Sequence, residues 1–415
     1  MNLFSQISPF NPVQDRLGIG LQYVGSKEMI APKLINAIYP HIPNAKYAFD
    51  LFGGGGAMSF AFVKSGLITT YNELKSDMCL MYSYVLDCIN NPRNEWGIFD
   101  RDLYEFCDRA EHKRIREAFN NKQNLTPQEL IKRYIYSFNC KGTAYFKGDF
   151  KEKFAKAGHI MVMSPYLHGD YKSAMQVYSD YLGNELGNDI RIIESFFLEF
   201  CENSDYTRLN LYDRRKIFGR FVINLEALSI AQILGNFKGY DLKAFVNYPK
   251  VELCNMIDKL KPDLPKKEYK KPRKTKGLSE LRALSKCEQL QRLQQLQRLK
   301  SELPKLSISN KDYLDFDFTK IAKDLNATPD EILIYCDIPY QCSKEINEET
   351  YHNKFDINQF VEWAKKHAIK GFKIFLSELE NPAPQVFREI YSTQKGRNIG
   401  KLDIIQEKLF LAQKD

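Results

Sequence analysis

The chain has 415 residues, of which 44% are hydrophobic and 27% are charged. This composition is typical of a folded globular protein and excludes a chain that is disordered throughout. At about 150 residues per domain, the length predicts two or three domains. The 60 Lys and Arg against 52 Asp and Glu give a formal net charge of +8, which permits a nucleic acid or another anionic partner without identifying one.

The cysteines and histidines exclude several classes of site. The nine cysteines include no CxxC pair, which argues against a disulfide framework and a structural zinc site. The six histidines form no HExxH motif, so a metalloprotease is not supported and we expect no metal. We find no signal peptide at the start and no apolar stretch of about 18 residues, so we expect a cytoplasmic protein without membrane spans.

The first part of the chain has the order of elements that opens a nucleotide-binding α/β unit. An apolar run, Tyr47 to Phe52, has the length of a buried strand and stops at four glycines, Gly53 to Gly56. A helix is predicted for 57–63, and a strand over 68–71 leads to the acidic residue Glu73. The glycines match neither GxGxxG nor GxxxxGK[ST], so by themselves they indicate a tight turn as well as a ligand loop.

The middle of the chain loses this alternation. Residues 77–245 favour helices, and 261–276 form a basic linker with eight Lys and Arg. Between 278 and 306, leucine recurs mostly at every third position. A step of three drifts around an α-helix, so we predict a helix whose apolar stripe wraps around it rather than a heptad zipper.

The α/β alternation returns near the C-terminus. The apolar strand Ile332 to Cys336 ends at Asp337, which Pro339 and Tyr340 follow. An acid at the carboxyl end of a buried strand lies where open α/β sheets bind ligands, although the tetrapeptide alone is also typical of a strand-ending turn. Further elements are predicted as a helix at 31–38, a strand at 306–309, a helix at 357–367 and strands at 373–377 and 404–412.

Five motifs in one order resemble the Dam-type DNA adenine-N6 methyltransferases. They are Tyr23-Val-Gly-Ser-Lys27, Phe52-Gly-Gly-Gly-Gly56, Asn72-Glu73, Asp337-Ile-Pro-Tyr340 and Tyr351-His-Asn-Lys-Phe355, and Glu407-Lys-Leu-Phe410 resembles the closing strand of that family. The resemblance covers about the first 90 and the last 110 residues. It implies an α/β fold with a Rossmann-like, S-adenosylmethionine-dependent methyltransferase sheet. That sheet is split between residues 1–90 and 307–415, around a mostly helical target-recognition insertion at 91–306.

The resemblance also implies an activity and its partners. The protein would transfer a methyl group from S-adenosyl-L-methionine to adenine N6 in double-stranded DNA after base flipping, in a bacterial or phage-infected cell, with any restriction enzyme a separate protein. Methylation of cytosine N4 or of RNA adenine remains an alternative. A catalytically silent DNA-binding relative is another, because Ile338 stands where the family usually has its first proline.

Site residues follow from the matched motifs. Lys27 would meet the carboxylate of the methyl donor, Glu73 the ribose hydroxyls and Asp312 the adenine ring, unless Asp312 is a solvated loop acid. The cofactor-binding candidates are Tyr23, Lys27, Asp50, Phe52, Gly53, Gly55, Glu73, Asp312 and Asp337, and the catalytic candidates are Asp337, Pro339 and Tyr340.

Candidates for DNA contact come from two basic stretches. The first contains Lys132, Arg133, Asn139 and Lys141, which the resemblance implies because the recognition region of that family begins in comparable sequence. The alternative interpretation of this stretch is a buried helix capped by two basic residues. The second contains Lys395 and Arg397 and is predicted as a basic turn that grips phosphates, or as an ordinary hairpin.

Overall fold

The computed structural model divides the chain into two compact units. One comprises Met1–Pro92, Lys113–Tyr145 and Arg292–Asp415, and the other comprises Arg93–His112 and Phe146–Gln291. The predicted insertion at 91–306 stays a prediction. The residues that the structure describes are 10–12, 17–21, 26–93, 97–137, 140, 142–145, 289–290, 292–339, 355–399 and 401–414.

A seven-stranded sheet organises the first unit. Its strand order is β3-β2-β1-β4-β5-β7-β6. Strands β1 to β5 are parallel wherever they pair, and β7 is antiparallel to both β5 and β6. This arrangement confirms the predicted α/β fold with a Rossmann-like sheet. The strands are β1 Tyr47–Asp50, β2 Ile68–Asn72, β3 Leu306–Ser309, β4 Ile332–Cys336, β5 Lys373–Glu378, β6 Phe387–Ile399 and β7 Lys401–Ala412.

Helices cover both faces of the sheet, which explains why β1 and β4 are apolar at nearly every position and fully buried. On one face, Leu34 of the first helix and Phe62 of the second pack with Leu333 and Phe375. On the other face, the aromatic residue Phe360 packs with the strand residues around it. The described helices are α1 Ala31–Ile38, α2 Ala57–Lys64, α3 Ser76–Asn90, α4 Arg109–Asn120, α5 Pro127–Ile135, α6 Phe318–Asp324 and α7 Ile357–Ile369.

The leucine-rich segment is α-helical, as predicted, at 289–290 and 292–294, and differs from its prediction further along. Residues Gln295–Leu299 form a 3₁₀ helix rather than an α-helix. A 3₁₀ helix has three residues per turn, so leucines spaced by three stay on one side instead of drifting. Leu296 and Leu299 of this 3₁₀ helix are accordingly both buried, and so is Leu293 in the α-helical stretch before it. Positions 278–288 of this segment lie outside the described residues.

The strand order reverses between β1 and β4, so these two strands form the switch point of the sheet. In open α/β sheets, ligands bind at the carboxyl ends of the strands beside such a point. In the described part of the chain, no helix is long and apolar enough to cross a membrane.

Candidate active site

The glycine turn after β1 is held by two buried tyrosines. The Tyr71 hydroxyl donates to the carbonyl oxygen of Gly54 at 2.9 Å, and the Tyr82 hydroxyl donates to that of Gly55 at 2.5 Å. A Cβ atom at Gly53 would overlap the Tyr71 ring. The turn therefore requires glycine at this position, and it presents bare backbone at the switch point.

Asn72 joins three strand ends, which the sequence alone did not indicate. Its side-chain amide donates to the carbonyl oxygens of Leu51 and Lys311, both at 3.0 Å. Its side-chain oxygen accepts the Lys311 N–H at 3.0 Å. The ends of β1 and β2 and the loop after β3 are thereby fixed relative to one another. A buried asparagine directly before an acid is the only sequence signal for this role.

Glu73 turns back onto the glycine turn. One carboxylate oxygen accepts the Gly54 N–H at 2.9 Å and the other accepts the Lys75 N–H at 3.1 Å. Burial raises the pKa of this carboxyl above its ordinary value, although both hydrogen bonds oppose the shift. The two backbone donors fix the direction of the carboxylate beside the turn.

Two exposed leucines flank the acids at this edge, and sequence reasoning missed them. Leu74 follows Glu73 and is 60% exposed, and Leu314 is 42% exposed. The half-buried Asp312 carboxylate accepts the Leu314 N–H at 2.9 Å and begins a short 3₁₀ turn. Apolar surface beside a carboxylate suits a flat ring that carries polar groups at its rim.

Asp50, at the end of β1, is a buried acid with half of its hydrogen-bonding capacity used. Its Oδ2 accepts the Ser59 hydroxyl at 2.6 Å. Its Oδ1 accepts no hydrogen bond from any residue that the structure describes. Burial raises the pKa of Asp50 to about 7, and the negative charges of Asp337 and Glu73 add to the rise.

Asp337 follows β4 directly and is the partly exposed acid of the switch point. Its side chain is 22% exposed, and its Oδ1 lies 2.5 Å from the Lys27 ammonium. The same ammonium lies 3.4 Å from Oε1 of Glu407, on β7. Lys27, expected at the carboxylate of the methyl donor, is placed here against two carboxylates of the protein itself.

The residues that surround Asp337 in sequence pack into the domain. Ile338 is 2% exposed and belongs to an apolar core cluster, whereas Pro339 is half-buried. Phe52, after the end of β1, makes ring contacts with Phe355 and Tyr313 at centroid distances of 5.7 and 5.6 Å. Aromatic packing therefore supports the carboxyl edge from the α7 side.

The candidates for DNA contact on α5 are buried. Arg133 pairs with Asp77 at 3.1 Å, and the Tyr134 hydroxyl donates to the same carboxylate oxygen at 2.8 Å. The Arg133 guanidinium also stacks on Phe119, 3.5 Å from the ring centroid. A buried guanidinium in an ion pair is not placed to contact phosphate, so its position matches the alternative interpretation of a buried helix. Lys132 is likewise only 6% exposed.

The remaining candidates have no described side chain. Tyr23, Tyr340, Asn139 and Lys141 lie outside the described residues. Lys395 and Arg397 lie on β6 of the β6–β7 pair, where the backbone is described. Within the described ranges, no three His, Cys, Asp or Glu side chains lie together as a metal site would require.

A glycine turn at the switch point, with acids at the ends of neighbouring parallel strands, is the arrangement expected of a Rossmann-like methyltransferase fold. Residues 23–158 match the family model of the D12 class N6 adenine-specific DNA methyltransferases. The match covers about a third of the chain, including the glycine turn and Glu73. It confirms the resemblance that the motifs gave, and with it the activity, methylation of adenine N6 in DNA. No curated protein matches the chain.

Proposed function

We propose that the protein transfers the methyl group of S-adenosylmethionine to N6 of an adenine flipped out of double-stranded DNA. The reaction takes place at the carboxyl edge between β1 and β4. The observation that carries this proposal is the partly exposed carboxylate of Asp337, placed beside the glycine turn at the switch point. The reaction belongs in the cytoplasm of a bacterial or phage-infected cell, and DNA cleavage would need a separate restriction enzyme.

The residues at this edge fit the chemistry of that cofactor. The glycine turn offers backbone without side chains beside the switch point, and Glu73, whose carboxylate faces that turn, suits two ribose hydroxyls. Leu74 and Leu314 offer apolar surface, and Asp312 a polar partner, for the adenine ring. When bound, the cofactor supplies an electrophilic methyl group on a positively charged sulfur. The acids at the edge complement that charge.

Asp337 performs the main task at the target base. The lone pair of an adenine amino group is conjugated into the ring, which makes the nitrogen a poor nucleophile. A carboxylate that accepts one amino hydrogen, with a main-chain carbonyl accepting the other, draws the nitrogen toward a tetrahedral geometry. Pro339 restricts the backbone shortly after Asp337 and so helps to hold that carbonyl in place. Catalysis then consists of positioning and electrostatics, without a covalent intermediate on the enzyme.

A base stacked inside a duplex does not reach a recessed carboxylate, so the adenine is flipped out of the helix. Tyr340 would stack on the flipped ring, as the resemblance implies.

The test is methyl transfer from labelled S-adenosylmethionine to duplex DNA, followed by identification of the modified base. We expect N6-methyladenine, and a loss of at least about 10²-fold for Asp337→Ala with the circular dichroism spectrum retained. Asp337→Asn keeps one acceptor oxygen, so its rate of methyl transfer should lie between those of the wild type and Asp337→Ala. N4-methylcytosine, methylated RNA alone, or an Asp337→Ala variant as active as the wild type would contradict the proposal.

A further inference from the structure

The ammonium of Lys27 is a buried charge between two carboxylates. Lys27 is 2% exposed and Glu407 is fully buried, whereas Asp337 is 22% exposed. Burying a charge is costly unless it is paired and hydrogen-bonded. Lys27 therefore depends on its carboxylate partners, and Glu407 is the partner that lies entirely inside the protein.

Glu407 is itself fixed by a neighbouring strand. The Ser377 hydroxyl, near the end of β5, donates to Oε1 of Glu407 at 2.8 Å, and this is the oxygen that faces Lys27. Ser377 is also fully buried. Two donors from different parts of the chain thus meet at one oxygen, which restricts the rotamer of Glu407.

The strand arrangement explains how Glu407 comes to lie beside the site. Strand β7 runs antiparallel to β5, with Glu378 opposite Lys408. Glu407 precedes Lys408, so it lies level with the carboxyl ends of the parallel strands, where Asp337 lies. If β7 ran parallel to β5, Glu407, which precedes the paired residues of β7, would lie toward the opposite edge of the sheet.

We propose that Glu407 is a positioning residue for Asp337 and acts through Lys27. Ser377 holds Glu407, Glu407 holds the Lys27 ammonium, and Lys27 holds Oδ1 of Asp337. When Lys27 fixes Oδ1 of Asp337, the direction of the other carboxylate oxygen is fixed as well. Each carboxylate oxygen accepts more than one hydrogen bond, so Asp337 can still accept one from the adenine amino group. This inference rests on the proposed role of Asp337 at the adenine amino group.

The inference separates rate from binding. A carboxylate displaced by about 1 Å from its productive position costs about 10²-fold in rate. The affinity for S-adenosylmethionine should stay nearly constant, because in this arrangement Lys27 acts on Asp337 rather than on the carboxylate of the cofactor. If Glu407 had a purely structural role, its substitution would instead lower the thermal stability together with the affinities for S-adenosylmethionine and for duplex DNA.

The test compares Glu407→Gln, Ser377→Ala and the double variant in single-turnover methyl transfer to one duplex. We expect a fall of about 10- to 100-fold for Glu407→Gln, with the calorimetric Kd for S-adenosylmethionine within about threefold of wild type. Ser377→Ala should cost less. It should have little further effect in the Glu407→Gln background, since both residues act through one oxygen.

Glu378→Gln is the matched control. Glu378 is a buried carboxyl at the end of the same strand, but it lies on the opposite face from Ser377 and accepts the Leu379 N–H at 2.8 Å. Burial raises its pKa to about 7, with the charges of Asp337 and Glu407 adding to the rise and that of Lys27 opposing it, so an amide replaces a group that is already partly neutral. These charges act on Glu378, but among the described residues it makes no hydrogen bond or ion pair with those three side chains. We expect its rate within about threefold of wild type.

Two outcomes overturn the inference in distinguishable ways. An active wild type together with a Glu407→Gln variant at the wild-type rate overturns the positioning role alone. A wild type that transfers no methyl group to DNA overturns the proposed function, and the inference with it. If Glu407→Gln does not fold, strictly additive effects of Ser377→Ala and Lys27→Met on the rate overturn the positioning role.

Discussion

Asp50 shows at the scale of one residue how the fold changes the chemistry of a side chain. The sequence places an acid at the end of a buried strand, and the fold removes it from water and adds two neighbouring acids. Its pKa of about 7 lies well above the ordinary value of 3.8. Between about pH 4 and pH 7 the folded protein therefore binds a proton that the unfolded chain releases, and stability falls as pH rises through this range.

Asp50→Asn should remove this pH dependence, because an amide stays neutral and still accepts the Ser59 hydroxyl. As pH rises from 5 to 8, we expect the free energy of unfolding of the variant to increase relative to that of wild type, by about 2–4 kcal/mol at most. The measurement is thermal unfolding of both proteins across this range without a methyl donor. A difference between the two that does not change with pH would contradict the assignment.

Ile338 replaces a proline of the related motif, and its side chain is in the core rather than at an open surface. A proline here would act by restricting the backbone, whereas an isoleucine offers apolar contacts. Its burial favours the second role, with the core as the contacting surface.

Ile338→Pro should therefore lower the free energy of unfolding by about 1–3 kcal/mol. It should also lower the single-turnover rate. Ile338→Val is the control, because it keeps a β-branched side chain and removes one methyl group at a cost of about 1 kcal/mol. A faster Pro variant would show that backbone rigidity matters more than packing at this position.

At the scale of elements, the β6–β7 pair extends beyond the sheet on the side of the candidate site. β5 pairs with β7 only from Phe375–Leu411 to Glu378–Lys408, whereas β6 and β7 continue to pair as far as Ile399–Lys401. The seven residues 401–407 thus extend about 23 Å past that last pair. The predicted turn at 395–401 is in this structure the end of a long ribbon.

Lys395 and Arg397 lie in this ribbon, and we predict that they contact DNA phosphates. The double variant Lys395→Gln/Arg397→Gln should weaken binding to all duplexes and reduce the slope of log K against log salt by about 2. Lys408→Gln is the control, because Lys408 already pairs with Glu389 at 3.0 Å. A salt slope equal to that of wild type would exclude phosphate contacts at these positions.

At the scale of the whole molecule, Arg292 joins the leucine-rich segment to the start of the chain. Its guanidinium donates to the carbonyl oxygens of Gly20 at 3.0 Å and Ile19 at 3.4 Å. A Cβ atom at Gly20 would lie 2.6 Å from the carbonyl oxygen of Gly55, so this arm packs closely on the glycine turn. Residues far apart in sequence thus support one turn at the switch point of the sheet.

Arg292→Lys keeps the charge but loses the planar fork that reaches both carbonyl oxygens. We expect a lower melting temperature and a KM for the methyl donor raised about three- to tenfold, since an unsatisfied buried carbonyl costs about 1–3 kcal/mol. Arg298→Lys, at an exposed position of the same segment, is the control. An unchanged melting temperature and KM for Arg292→Lys would show that the Arg292 hydrogen bonds do not support the glycine turn.

The sequence by itself determined the order of the elements and carried the resemblance that the family model confirms. Apolar runs of strand length predicted β1 and β4 to within two residues, because these strands are buried on both faces and their composition follows from that burial. The partly buried β2 was predicted to within one residue. The acids after these strands were found because each directly follows a strand.

Tertiary structure decided which side chains meet. The contact between Lys27 and Asp337 joins residues 310 positions apart, and Glu407 reaches them because β7 is antiparallel to its neighbours. The sequence alone predicted Arg133 as a candidate for DNA contact, whereas in the structure it pairs with Asp77 and stacks on Phe119. Local pattern fixes how a segment folds because it depends on near neighbours. The pairing of charges depends on which strands and helices become adjacent, and only packing of the whole domain determines that.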